Sequence, residues 1–246
     1  NCKKYLFFFI LSIFIISCKS EDGAQVDEDG IITGLQTKTL THDNVNRNYL
    51  VYIPDSYDSE IDYPLMFVFH GFGGIATQFI NTADMRDLAE SNNFIVVYPQ
   101  GLDLAGTGSH WNCSNPSADN KSDVDDIGFI ENLIDQLIVD YPVIDSKRIY
   151  AAGYSNGGFM SYYLACNSKK FAAIGSVAGT MLDDSYQSCN ANFPTAMINI
   201  HGTDDFDVPY DGNIYYPSIP EVVDWWKNFN NTPNEDLLTN QDGSIE

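Results

Sequence analysis

Apolar runs of two kinds alternate along most of this chain. Leu35–Thr41 and Arg47–Ile53 alternate apolar with polar positions around His42-Asp43-Asn44, which predicts an antiparallel hairpin. Leu65–Phe69 and Phe94–Tyr98 are continuously apolar, as strands covered on both faces must be. Arg148–Ala152, Phe171–Val177 and Ala196–Ile200 are further strands of this kind. Helical spacing fills the intervals, first over Thr77–Glu90. From Asp126 the residues Ile127, Ile130, Ile134, Leu137, Ile138 and Tyr141 trace one helix face, until Pro142 stops it. Phe159–Cys166 continues the pattern, and a last helix passes through Val222, Val223 and Trp226 behind Pro220. The segment Gln100–Val124 reads as one long loop, of a length that usually serves a function. Residues 228–246 are polar and carry no clear element. Alternating strands and helices predict an α/β fold with a doubly wound, mostly parallel sheet and helices on both faces. Right-handed crossovers then bring the strand C-terminal ends to one edge, where ligands bind.

At 246 residues the chain suits one such domain. Its 34 acidic and 12 basic residues give a net charge of −22. That surface repels nucleic acid and anionic membranes, so neither is an expected partner. Lys3 and Lys4 precede an apolar run, Tyr5–Ile16, short for a membrane span and suited to an export signal. Ile15-Ile16-Ser17-Cys18 resembles a bacterial lipobox, which implies cleavage after residue 17 and a lipid on Cys18. The expected organisation is therefore a leader at 1–17, an acidic tether at 18–33 and one domain over 34–246, extracellular or held at the cell surface or outer membrane. Export permits a disulfide, and Cys166 and Cys189, flanking one predicted strand, are the expected pair. Cys113 is then left over.

The candidate chemistry sits at three strand ends. Arg148–Ala152 runs into Gly153-Tyr154-Ser155-Asn156-Gly157-Gly158 and then into a helix, the strand–turn–helix context of a nucleophile elbow. Gly153 and Gly157 make room for the turn, and the first helical N–H groups can receive an oxyanion. A second strand ends in His70-Gly71-Phe72-Gly73-Gly74 and a third in His201-Gly202-Thr203-Asp204-Asp205. These pieces occur in order with Tyr98-Pro99-Gln100-Gly101, Trp111-Asn112, Val124-Asp125-Asp126-Ile127-Gly128-Phe129 and Val208-Pro209-Tyr210. Over about residues 47–230 the chain thereby resembles the α/β-hydrolases, in particular the secreted esterases that include feruloyl and acetyl-xylan esterases and polyhydroxybutyrate depolymerases.

The resemblance implies a serine carboxylic-ester hydrolase acting through an acyl-enzyme on acylated plant polysaccharide. Ser155 would be the nucleophile, the N–H groups of Asn156 and Phe72 the oxyanion donors, and Asp205 the acid, with Asp204 as rival. Trp111, Asn112 and Tyr154 are candidates for lining an acyl pocket, equally readable as core and loop packing. Asp125 and Asp126 read as helix N-terminal residues that favour the dipole. The base is not found. The family places it after the acid, and no histidine follows Asp205. His42 is expected to be exposed in its turn, and His70 and His201 to bond within loops. His110, before Trp111, could lie near the pocket without family precedent as a base. The expectation is a C-terminal truncation that removes the base and a last strand, leaving these residues inactive as they stand. Alternatives of other kinds are a polyester depolymerase, a peptidase of the same fold and a non-enzymatic glycan-binding lipoprotein. No spacing of His, Cys or Asp suits zinc or calcium, and the chemistry asks for no cofactor.

Overall fold

The computed structural model describes residues 30–115 and 122–232. The leader, Cys18, most of the tether and the tail from 233 lie outside these residues. Strands β1 (Gly34–His42) and β2 (Val45–Ile53) form the expected hairpin, with Asp43 and Asn44 at positive φ in its turn. Then come β3 (Tyr63–Phe69), α1 (Ala76–Phe79), α2 (Arg86–Asn92) and β4 (Ile95–Pro99). Next are the short pair β5 (Leu102–Asp103) and β6 (Ser109–His110), α3 (Asp126–Asp140), β7 (Ile144–Tyr154) and α4 (Asn156–Asn167). The remainder is β8 (Ala173–Val177), α5 (Asp183–Ser188), β9 (Ala196–Ile200) and α6 (Ile219–Phe229).

Seven strands form one sheet in the order β1-β2-β4-β3-β7-β8-β9. β3, β4, β7, β8 and β9 are mutually parallel, and β2 runs antiparallel to both of its neighbours, β1 and β4. The doubly wound, mostly parallel sheet expected from the pattern is present. Alternate residues of β2, β3 and β4 enter different clusters, as a pleat with period two requires. Val51, Phe67, Phe69 and Val97 join one core with α3, α4 and α6, whereas Leu50, Val68, Val96 and Tyr98 join another with α1 and α2. α4 is buried from Gly157 through Cys166, which explains why its sequence is apolar all round.

Register sets where the loops emerge. Phe69 pairs with Gly153, Gly153 with Ser176, and Ser176 with Asn199, so four parallel strands end on one row. The loops carrying His70, Ser155, Ala178 and His201 therefore leave side by side.

Several boundaries differ from expectation. The helix expected over Thr77–Glu90 is two helices, and the reason is Tyr98. Its hydroxyl donates to Ala83 O (2.7 Å) and accepts Met85 N–H (3.0 Å), satisfying backbone groups freed at the break. Asp84 then accepts Arg86 N–H and restarts the chain as α2. The long loop contains the β5–β6 pair, and α5 was not expected from its polar sequence, Asp183-Asp184-Ser185-Tyr186-Gln187-Ser188. β8 begins at Ala173 rather than Phe171, whose ring packs edge-on against Phe67. Cys166 and Cys189 are bonded in the structure, and Cys113 is a buried thiol. Among the described residues no helix is long and apolar enough to cross a membrane.

Candidate active site

Ser155 occupies the turn between β7 and α4 with φ 51° and ψ −120°. A non-glycine residue there is strained by about 1–3 kcal/mol, so the surroundings must hold it. They do so by close approach. A Cβ on Gly157 would run into the Phe69 carbonyl and stand 2.7 Å from His70 O, and one on Gly153 would meet Gly157 Cα at 2.8 Å. The backbone is pinned as well: Ser155 N–H donates to Val177 O (2.8 Å), and Ser155 O accepts Gly158 and Phe159 N–H. The hydroxyl itself makes no cap bond to its helix. Among the described residues, Asn156 N–H has no hydrogen-bond acceptor.

Ser155 lines a cavity of about 620 Å³ together with Phe72, His110, Trp111, Asn112, Cys113, Ser114, Asn156, Phe159, Leu182, Asp183, Asp184, Val208, Ile214, Tyr215 and Tyr216. The candidates Phe72, Trp111, Asn112 and Asn156 are thus brought together with Ser155. Tyr154 is not. It is half-exposed beside Gly71 and is not among the lining residues.

Trp111 serves both packing and lining. Its indole N–H donates to His70 O (3.0 Å) and its ring meets Phe69 edge-on, while its backbone is clamped by the Asn156 side chain. Asn156 Oδ1 accepts Trp111 N–H at 2.7 Å and Nδ2 donates to Trp111 O at 3.0 Å. The residue after the candidate nucleophile therefore fixes the opposite wall.

The histidines divide as follows. His70 is buried, with Nδ1–H donating to Gly71 O (2.8 Å) and Nε2 accepting Gly101 N–H (3.0 Å). Burial pushes its pKa down, in keeping with a neutral ring that ties two loops together. His201 Nε2 donates to Val208 O at 2.8 Å. His110 faces the cavity, yet Nδ1 donates to Leu102 O (3.1 Å) and Nε2 bonds Ser122 Oγ (2.7 Å). His42 corrects an expectation. Its ring is only 10% exposed, because Asn132 on α3 and the N-cap residue Asp125 reach it at 2.8 and 3.1 Å. His42, Asp43 and Asp125 bring three possible metal-ligand atoms within 4.8 Å of one another, a grouping their sequence separation concealed.

Asp205 and Asp204 differ in setting. Asp205 is half-buried; Oδ1 accepts the N–H groups of Asp207 and Val208 (3.0 and 2.9 Å), and Oδ2 lies 3.6 Å from His201 Nε2. Asp204 is exposed.

Asp125 and Asp126 also part company. Asp125 caps α3, accepting Gly128 N–H at 2.9 Å, as expected of a residue at the helix start. Asp126 does not face solvent at the helix end. Its buried carboxylate takes Arg47 Nη2 at 2.6 Å and Asn112 N–H at 2.8 Å. Burial pushes its carboxyl up while Arg47 opposes that shift. Arg47 lies over the Phe129 ring, 4.0 Å from its centroid. This buried pair ties β2 and α3 to the cavity wall at Asn112. No local signal marks it, since Arg47 reads as a polar position of a hairpin strand.

The sheet order and the row of parallel strand ends are those of the α/β-hydrolase fold. A family profile described as the prolyl oligopeptidase family matches residues 83–190. In sequence the chain is related to esterases. It is 31% identical over 180 residues to a probable feruloyl esterase C of Aspergillus niger, covering 70% of this chain and 60% of that protein. It is 33% identical over 185 residues to the corresponding protein of Aspergillus terreus, covering 72% and 62%. The chain thus spans about three-fifths of the length of these relatives. Among solved structures, a thermostable esterase superposes with a TM-score of 0.62 at 17% identity, over 84% of this chain and 59% of that one. An acetyl xylan esterase from Aspergillus awamori gives 0.51 at 21%, over 65% and 57%. At such identities these two support the fold alone.

Proposed function

We propose that this protein is a serine carboxylic-ester hydrolase that works through an acyl-enzyme on acylated plant polysaccharide, of feruloyl or acetyl-xylan type. The observation carrying the proposal is Ser155 on a strained turn, its hydroxyl unused by the helix and lining an aromatic cavity. Ser155 Oγ attacks the ester carbonyl and loses its proton to a base. Asn156 N–H and Phe72 N–H receive the oxyanion, the alcohol leaves, and water then releases the acid. Phe72, Trp111, Phe159, Tyr215 and Tyr216 around the cavity suit a flat aromatic acyl group. Asp205 is assigned as the acid, because two backbone N–H groups fix its carboxylate while Asp204 is exposed. None of the four histidines hydrogen-bonds to Ser155 among the described residues, and each has a structural partner. The proposal includes export and a lipid on Cys18, and needs no cofactor.

A peptidase of the same fold is the second reading, favoured by the prolyl oligopeptidase match. Turnover of methyl ferulate and p-nitrophenyl acetate against aminoacyl p-nitroanilides, by protein made from its full reading frame, separates the two. Ester turnover is expected to exceed amide turnover by about 100-fold or more. Comparable amide turnover would favour the peptidase, and turnover of neither would overturn both.

A further inference from the structure

The cavity beside Ser155 is unevenly charged. Asp183 and Asp184, both in the first turn of α5, lie in its walls, and among the described residues no lysine or arginine does. Asp184 is held in place, its Oδ2 accepting the Ser114 hydroxyl and Asn115 N–H at 2.7 Å each. Asp183 is exposed, with Gln187 Nε2 at 3.5 Å from Oδ1. Among the described residues neither carboxylate has an ion-pair partner. Among the described residues His110 is the one histidine in the lining, its ring nitrogens engaged with Leu102 O and Ser122 Oγ. The chain as a whole is strongly acidic, so its overall field adds to the local one.

We infer that Asp183 and Asp184 make this cavity a charge filter that admits neutral acyl and aryl groups and repels carboxylates. The inference rests on the ester-hydrolase reading and deepens it. Hydrolysis turns a neutral ester and water into an alcohol, a carboxylate and a proton. The wall that tolerates the substrate thus disfavours the acid product in the same place. Like charges in a partly desolvated cleft repel more strongly than in bulk water, and added salt weakens the effect where solvent reaches them. The filter helps product leave, and it selects against esters with a free carboxylate near the acyl group.

The test compares binding of trans-cinnamamide and trans-cinnamate, which share one frame and differ in charge, by calorimetry at about pH 8, where the acid is ionised. At about 0.01 M salt the amide is expected to bind about tenfold more tightly than the carboxylate, and at about 0.5 M salt the gap narrows by about threefold. Asp183→Asn is expected to narrow the low-salt ratio by about threefold. Glu60→Gln, which removes one charge from an exposed loop before β3, is expected to leave that ratio alone. Equal binding of the two ligands, or a ratio unmoved by Asp183→Asn, would overturn the filter while leaving the ester-hydrolase reading in place. Failure of the amide to bind at all would overturn the acyl-pocket reading and the filter with it.

Discussion

Replacing Asp126 by leucine removes the carboxylate that holds both Arg47 and Asn112. Both partners of the ion pair are essentially buried, with side-chain exposures of 1% and 0%, and they meet at 2.6 Å. Breaking one side of such a pair costs about 3–5 kcal/mol, because the remaining charge is buried without compensation. The Asn112 N–H also loses its acceptor, at a cost of about 1 kcal/mol or more, so about 4 kcal/mol is the least loss expected. For a domain of this size that lowers Tm by about 8–16 °C. The double variant Arg47→Met/Asp126→Leu removes the stranded guanidinium and is expected to recover about 2 kcal/mol or more. Urea denaturation of the protein, the two single variants and the double variant gives the coupling directly. A loss below about 1 kcal/mol in Asp126→Leu, or a double variant that simply adds the two single losses, would refute this account of the buried pair.

Gly157→Ala is expected to cost about 3 kcal/mol, since the new methyl meets the Phe69 and His70 carbonyls, and a melt shifted by less than about 2 °C would contradict it. His70 should add a pH dependence to stability. Its folded pKa lies below the ordinary value, so its contribution is complete above about pH 6.5 and is lost as pH falls through that value toward the folded pKa. Chemical denaturation across this range should show the dependence in the protein and a flatter profile in His70→Gln; equal slopes would count against it. Reducing the Cys166–Cys189 bond, which closes a separation of 23 residues, should remove about 3 kcal/mol of stability. Calorimetry with and without reductant measures that, and an unchanged Tm would contradict it.

Long-period features were legible in the chain and short-range compensations were not. Leu65–Phe69 and Phe94–Tyr98 announce buried strands because both faces of each are covered, and the strand–helix alternation then dictates a doubly wound sheet. The Ser155 turn was visible because glycine at 153 and 157 is demanded by backbone packed against backbone. The break at 80–85, between α1 and α2, is not visible in the sequence, since it depends on the hydroxyl of Tyr98 reaching across from β4. Asp126 is legible as a first-turn carboxylate of α3, whereas its buried partner Arg47, 79 residues away in sequence, is not. Tyr154, a candidate for the pocket lining, is half-exposed and not among the lining residues. Asp183 and Asp184 drew no attention as two acidic residues among 34, and only the cavity gives them meaning.

The most direct measurement is hydrolysis of methyl ferulate by protein made from its full reading frame, compared with the same protein carrying Ser155→Ala. The account predicts clear turnover in the first and a loss of about 1,000-fold or more in the second, as expected when an attacking hydroxyl is removed. Turnover that survives the substitution would contradict it, because the strained turn at Ser155 would then have no part in the chemistry.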